Sequence, residues 1–346
     1  MIRVFRVVVM IVALSLASVL LPLTALAQEA TPAPECVTTT PEENEALVAM
    51  YWDEAVWGAQ GVIDEIVAPD EVHHWGIGGD TSSFEAISER WALFNAAFPD
   101  LEFSVDLVAA EGDLAATLWT ATGTHAGEWQ GIAATDREVT WRGANVFRFA
   151  CGLIVESWGE ADHLGLRAQL GASDVPALAA TPSGIAAGAG MNTSPAATPC
   201  ANDSAEANVA LARRWTEDVF TGRNLDALDD MLDSDAVHHS STFPDAQGSD
   251  AVKAALGRLL DAFPDMNLTV DATVADGDLV VSRWSGTGTN DGSWLGMEPT
   301  GVAVDITGIN IYRIACGKIV ESWSTTNALQ QLQQLNEGAT QATPTG

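Results

Sequence analysis

ACGLIVESW runs from Ala150 to Trp158, and ACGKIVESW runs from Ala315 to Trp323. The two stretches differ only at Leu153 and Lys318, and they stand 165 residues apart. Cys-Gly is a turn signal, and the Ile-Val run after it favours strand, so each stretch predicts a tight turn and the second strand of a hairpin. Working outward at the same offset, Val72–Trp158 aligns with Val237–Trp323 without a gap, with 35 of 87 positions identical. The matches fall in blocks: Val72-His73-His74 with Val237-His238-His239, Ala97-Phe98-Pro99-Asp100 with Ala262-Phe263-Pro264-Asp265, and Gly112-Asp113-Leu114 with Gly277-Asp278-Leu279. A repeat this long is a duplicated domain and not a solenoid unit.

One copy reads as helices followed by a meander. Glu42–Trp57 and Val62–Val67 are predicted helices, Val72–His74 a short strand, and Ser82–Ala97 a helix capped by Ser82 or Ser83 and ended by Phe98-Pro99. Four strands follow, at Leu101–Ala110, Leu114–Thr122, Arg137–Phe149 and Leu153–Trp158, then a helix at Leu164–Leu170. Gly112-Asp113 and Cys151-Gly152 are the hairpin turns. This order predicts an α+β fold with helices packed on one face of a curved, mostly antiparallel sheet. On adjacent strands, Arg148 with Glu156 and Arg313 with Glu321 are expected ion pairs.

Fifteen Lys and Arg face 47 Asp and Glu, for a formal charge of -32, with Lys253 and Lys318 the only lysines. Such a chain repels phosphate backbones and anionic lipid, so nucleic acid and membrane surfaces are not expected partners. Arg3 and Arg6, the apolar run Val7–Leu21 and the Ala25-Leu26-Ala27 site predict a signal peptide; the run is short for a span of ~20 residues. Residues 1–27 are thus a signal peptide, 28–41 a leader, 42–171 the first domain, 172–206 an Ala/Pro/Gly/Ser/Thr linker, 207–337 the second domain and 338–346 a disordered tail. Export to a secreted or cell-envelope location implies oxidising conditions for Cys36, Cys151, Cys200 and Cys316. Four cysteines allow three pairings. The repeat selects Cys36–Cys151 and Cys200–Cys316, each joining the start of a domain to a late hairpin at about 4–5 kcal/mol.

Three segments, AFPDLEFSVD (Ala97–Asp106), GTHAGEWQGI (Gly123–Ile132) and GANVFRFACGLIVESWGEAD (Gly143–Asp162), with their counterparts in the second copy, make each domain resemble the SnoaL-like polyketide cyclases, or ester cyclases, of the nuclear transport factor 2-like superfamily. The resemblance implies two tandem cone-shaped domains, each a strongly bent sheet wrapped round a pocket and closed by helices. It also implies intramolecular cyclisation of a polyketide ester without metal or organic cofactor. The superfamily includes isomerases, dehydratases, epoxide hydrolases and binding modules, so the fold does not name the reaction. Pairing of the two domains through their sheets is an expectation by the same analogy.

Asp162, four residues past Trp158, resembles the family's general base; removing a proton beside a carbonyl needs a base whose pKa an apolar wall has raised. Capping the helix that begins near Leu164 explains the same Asp. The second copy has Asn327 there, and an amide takes no proton at neutral pH. His125 either polarises a carbonyl or stands in a solvent loop, and its counterpart is Asn290. Within His73-His74 and His238-His239, neighbours on a strand point to opposite faces, so one of each pair enters the pocket and the two cannot share a metal. Trp119, Trp129 and Trp158 recur as Trp284, Trp294 and Trp323, lining a pocket or filling core. Trp75, Trp91 and Trp141 occur in the first copy alone. No phosphate loop, serine-nucleophile motif or metal constellation is present in the sequence of either copy, so no cofactor and no metal are expected.

Two functions remain open at this level. One is an exported enzyme acting on a small carbonyl compound by cofactor-free acid/base chemistry in domain one, using Asp162 with His125, His73 or His74, for cyclisation, isomerisation or elimination. The other is a non-catalytic secreted binding protein with two apolar pockets, with Asn327, His238, His239, Trp284 and Trp294 serving the second.

Overall fold

The computed structural model describes residues 36, 38–54, 56, 60–76, 79–175 and 204–342. The signal-peptide segment, Cys200 and most of the linker lie outside the described residues. In copy one, helix α1 (Pro41–Asp53) starts where a capping box permits: Glu43 N–H donates to Thr40 Oγ1, and Thr40 N–H donates back to the Glu43 carboxylate. There follow α2 (Gln60–Ile66), β1 (Val67–Trp75), β2 (Thr81–Ser82), α3 (Phe84–Ala97), β3 (Glu102–Glu111), β4 (Leu114–Thr124), β5 (Glu138–Ala150), β6 (Leu153–Ala161) and α4 (His163–Leu170). Copy two repeats the plan with α5 (Ala205–Arg214), a π-helical segment Trp215–Thr221, α6 (Ala227–Met231), β7 (Leu232–Ser240), β8 (Ala246–Gln247), α7 (Ser249–Ala262), β9 (Asn267–Asp276), β10 (Leu279–Thr289), β11 (Ala303–Ala315), β12 (Lys318–Thr326) and α8 (Ala328–Ala342).

Each copy is a six-stranded sheet, in the order β2-β1-β6-β5-β4-β3 and β8-β7-β12-β11-β10-β9. The first strand of each copy is longer than the sequence reading and runs parallel to the last, β1 with β6 and β7 with β12; the long meander pairs are antiparallel. Register shifts between Val105 and Leu107 and between Arg148 and Phe149 add bends of the kind that curve a sheet. The Cys-Gly turns form as expected, with Cys151 and Gly152 both at positive φ (54° and 79°), as in a two-residue hairpin loop. One boundary differs. Helix α8 continues through Ala342, past the Gly338 at which the sequence suggested a tail; Leu329, Leu332 and Leu335 are buried along it, and Gly338 lies close against Val302.

The strand period of two sorts side chains onto two faces. The inner face of copy one holds an aromatic core that includes Trp52, Trp75, Trp119, Trp129, Trp141 and Phe147. The inner face of copy two is mainly aliphatic, with Leu228, Val252, Leu256, Leu260 and Ile306 beside Trp215 and Trp284. The outer faces meet: Leu118, Val146 and Trp158 of copy one form one buried cluster with Val281, Ile309, Ile311 and Trp323 of copy two. The two sheets therefore pair back to back within one chain. The Cys36–Cys151 disulfide is present, and Cys316 is also disulfide-bonded. Arg148 meets Glu156 at 3.1 Å and Arg313 meets Glu321 at 3.6 Å, as the register requires.

Candidate functional site

β1 carries Glu71 and His73 two residues apart, hence on one face, and parallel pairing sets His73 opposite Ser157 of β6. All three are buried. Ser157 donates its hydroxyl to Glu71 Oε1 at 2.5 Å, and His73 Nδ1 lies 2.5 Å from Ser157 Oγ. A serine has one hydroxyl proton. With that proton on the carboxylate, His73 must donate from Nδ1, which leaves the Nε2 lone pair as the free base. Glu71 Oε2 is buried without a partner.

Aromatic rings surround this chain of groups. His73 stacks on Trp75 at 5.4 Å, and Trp75 meets Trp91 and His163. His163 also touches Phe94 and Trp129, and burial pushes its pKa down to about 3, so the ring is neutral across ordinary pH. Arg90 sits in the same neighbourhood: its charge opposes protonation of His163 and steadies ionised Tyr51, while burial lowers its own pKa. One Arg90 nitrogen donates to Gly79 O at 3.1 Å, and Nη1 is buried without a partner.

Asp162 lies elsewhere. Counting along β6 and onward, Ser157, Gly159 and Ala161 face inward, and Trp158, Glu160 and Asp162 face the other copy. Asp162 Oδ1 accepts from Gly165 N–H at 2.7 Å as the cap of α4. Burial raises its pKa to about 7, with Gly165 N–H and Arg142 opposing the rise. It lines a small cavity of about 20 Å³ between the copies, together with Arg142 and His239. The structure thus does not gather Asp162 with His73. Asn327 takes the same cap position before α8, accepting from Thr307 N–H at 3.1 Å and Gln331 at 2.9 Å.

His125 is buried rather than in solvent. Its Nδ1 lies 3.1 Å from Thr135 Oγ1, its ring packs on Phe98, and burial lowers its pKa. Asn290 does the same work in copy two, accepting at 3.0 Å from both N–H and Oγ1 of Thr300. Both side chains brace the loop between the second and third meander strands.

The histidine pairs split by face as the alternation requires. His238 is inward, with Nδ1 2.9 Å from Ser322 Oγ and a pKa lowered by burial to about 4. His74 and His239 are outward, each stacked on Trp158 or Trp323 and bonded to Glu156 or Glu321. The three shared tryptophans therefore do not line one wall: Trp119 and Trp129 are interior, as are Trp284 and Trp294, whereas Trp158 belongs to the junction. Glu71, Ser157, His163 and Arg90 were not singled out from the sequence. The signal available was the alternation that places 71 and 73 on one side. Among the described residues no group of three or more His, Cys, Asp or Glu could hold a metal ion.

A bent six-stranded sheet with helices over its inner face, present twice, defines an α+β cone fold of the nuclear transport factor 2-like kind. The profile of the SnoaL-like polyketide cyclases matches residues 47–170 and 210–335, and the chain belongs to that family. Several solved structures are similar over one copy. AclR from Streptomyces galilaeus, described as a candidate hydroxylase, is 32% identical over 38% of this chain and 98% of its own, with a TM-score of 0.34. IdmH from Streptomyces antibioticus, described as a candidate polyketide cyclase, is 28% identical over 37% and 98%, with a TM-score of 0.34. A candidate SnoaL-like polyketide cyclase from Jannaschia sp. CCS1 is 22% identical over 39% and 98%, with a TM-score of 0.37. No curated protein matches the chain.

Proposed function

We infer that this is an exported enzyme whose first copy removes a proton from carbon beside a carbonyl, leading to cyclisation, isomerisation or elimination of a small organic molecule. The observation that carries the reading is the Glu71–Ser157–His73 chain inside an aromatic wall. His73 Nε2 is the base, and Glu71, acting through Ser157, holds the ring in the tautomer that leaves this nitrogen free. The enolate oxygen that forms needs a donor, and the unpartnered Nη1 of Arg90 supplies one. Asp162 enters as a positioning residue, because it caps the helix whose first residue is His163. Copy two has Ala236 at the position of Glu71 and Ala328 at that of His163, which supports a binding or scaffolding role for it. Export rests on the N-terminal sequence. A disulfide is compatible with it, and among the described residues no helix is long and apolar enough to cross a membrane.

The test is a screen of small β-keto esters and diketones in deuterated water, following exchange of the proton between the carbonyls by NMR. Wild-type protein is expected to accelerate exchange of at least one compound, and Glu71→Gln and His73→Ala to lose that acceleration. Exchange kept in both variants and lost in Asp162→Asn would move the base to Asp162 and end this assignment.

A further inference from the structure

Back-to-back pairing leaves two clefts between the copies, built from equivalent positions with the copies exchanged, as in an isologous dimer. One is the small cavity beside Asp162. The other, of about 240 Å³, is lined by His74, Trp158 and Glu160 of copy one and by Arg283, Thr307 and Asn327 of copy two, among others. The offset of 165 relates Glu160 to Thr325 and Thr307 to Arg142. In the smaller cavity, therefore, an arginine stands where the larger cleft has a threonine, and no carboxylate stands where it has Glu160. Duplication has released one of the two clefts to diverge.

Glu160 is 7% exposed. Its Oε1 accepts from Thr307 Oγ1 of the other copy at 2.5 Å, and its Oε2 is buried with no partner. Gly76 lies against that oxygen so closely that a Cβ there would strike it. A buried carboxylate oxygen without a donor is costly, so one left this way in a cleft is suited to a ligand that donates. The charges around it favour a cation. Asp80 and Asp305 also line the cleft; of its two basic groups, Arg283, whose charge reaches Glu160, is paired with Asp271 at 2.6 Å, and His74 lies between Asp80 at 3.0 Å and Glu156 at 3.1 Å. Trp158 and the side chain of Ile309 give the cleft apolar wall.

We propose that this cleft is a second binding site, separate from the interior of copy one, for a small organic ammonium ion that donates to Glu160 and lays its apolar part against Trp158 and Ile309. The ligand class follows from one unsatisfied acceptor, surplus negative charge and apolar wall in a space of this size.

Titration calorimetry of the full chain with benzylamine, benzyl alcohol and benzoate tests it. Benzylamine is expected to bind at least tenfold tighter than benzyl alcohol, benzoate not to bind, and Glu160→Gln to lose at least tenfold for benzylamine. Equal affinity for amine and alcohol, or unchanged binding in Glu160→Gln, would overturn the proposal. A second readout uses the wild-type protein alone, in case the substitution impairs folding. In NMR spectra the indole N–H signal of Trp158, in the cleft, should move with added benzylamine, while that of Trp129, in the interior, should not. Movement of Trp129 without Trp158 would place the amine in the interior and refute the cleft site.

Discussion

Copy one and copy two agree in strand register, hairpin turns and the use of the outer face to join, and they differ most in what the cone encloses. In copy one the interior gathers Glu71, His73 and His163, with half-buried Arg90 in electrostatic reach of His163, among Trp75, Trp91 and Trp141. The same positions in copy two are Ala236, His238, Ala255 and Ala328 among Ser240, Leu256 and Ile306. Some changes are coupled. Gly159 has no Cβ because the Trp75 indole occupies that space, and where copy two has Ser240 instead of Trp75 the glycine becomes Ser324. Gly143 and Gly308, by contrast, both make room for an indole, Trp119 or Trp284, and both copies keep the pair. Divergence has followed the inner face and the two junction clefts and spared the strand frame, which is the pattern expected when one of two linked copies is free of a shared task.

Exchange chemistry should separate the copies most widely. Glu71→Gln or His73→Ala is expected to lower the exchange rate by on the order of 10²–10⁴, the usual worth of a positioned acid or base, and His238→Ala to leave it unchanged. Equal losses from both histidines would break the comparison. Stability of the frame comes next: removing the Cys36–Cys151 bridge, which spans 115 residues, should cost about 4–5 kcal/mol by urea unfolding.

The junction gives a smaller, pH-dependent effect. Burial raises the Glu160 pKa to about 7, against an opposing bond from Thr307 and the charge of Arg283. An unfolded glutamate releases its proton near pH 4.5, whereas the folded one holds it to about 7. The folded state therefore binds the extra proton between those values, and this residue's contribution to stability falls as pH rises through that window. Glu160→Gln should match wild type near pH 4 and exceed it by up to about 3 kcal/mol at pH 8, measured by denaturant unfolding. The smallest effect is predicted for His125→Asn, which borrows the copy-two brace: below about 1 kcal/mol in stability, with exchange intact. A large loss of exchange there would return His125 to the chemistry.

The frame was legible in the sequence because hairpin turns and strand alternation are local signals, and because the repeat exposed them twice. Ser83, Phe98 and the Cys-Gly turns stand where those signals put them. The interior was less legible. Glu71 joins Ser157 and His73 only through parallel pairing of strands 84 residues apart, which no local pattern reveals. Asp162 reads equally as base or cap, and its orientation is fixed by the phase of β6, one residue of which exchanges interior for junction. His125 looked like a loop residue in solvent because loops usually are, and burial beneath Phe98 is a tertiary fact.

Copy one has Glu71 where copy two has Ala236, and the imidazole protons of the two inward histidines report the difference. Ser157 gives its proton to Glu71, so His73 should carry its own on Nδ1; Ser322 faces Ala236 instead, so its proton should go to Nδ1 of His238 and leave that ring protonated on Nε2. Long-range ¹H–¹⁵N correlation spectra of the full chain at pH 8 distinguish the two forms. Opposite tautomers in His73 and His238 are the predicted result, and the same tautomer in both would contradict it.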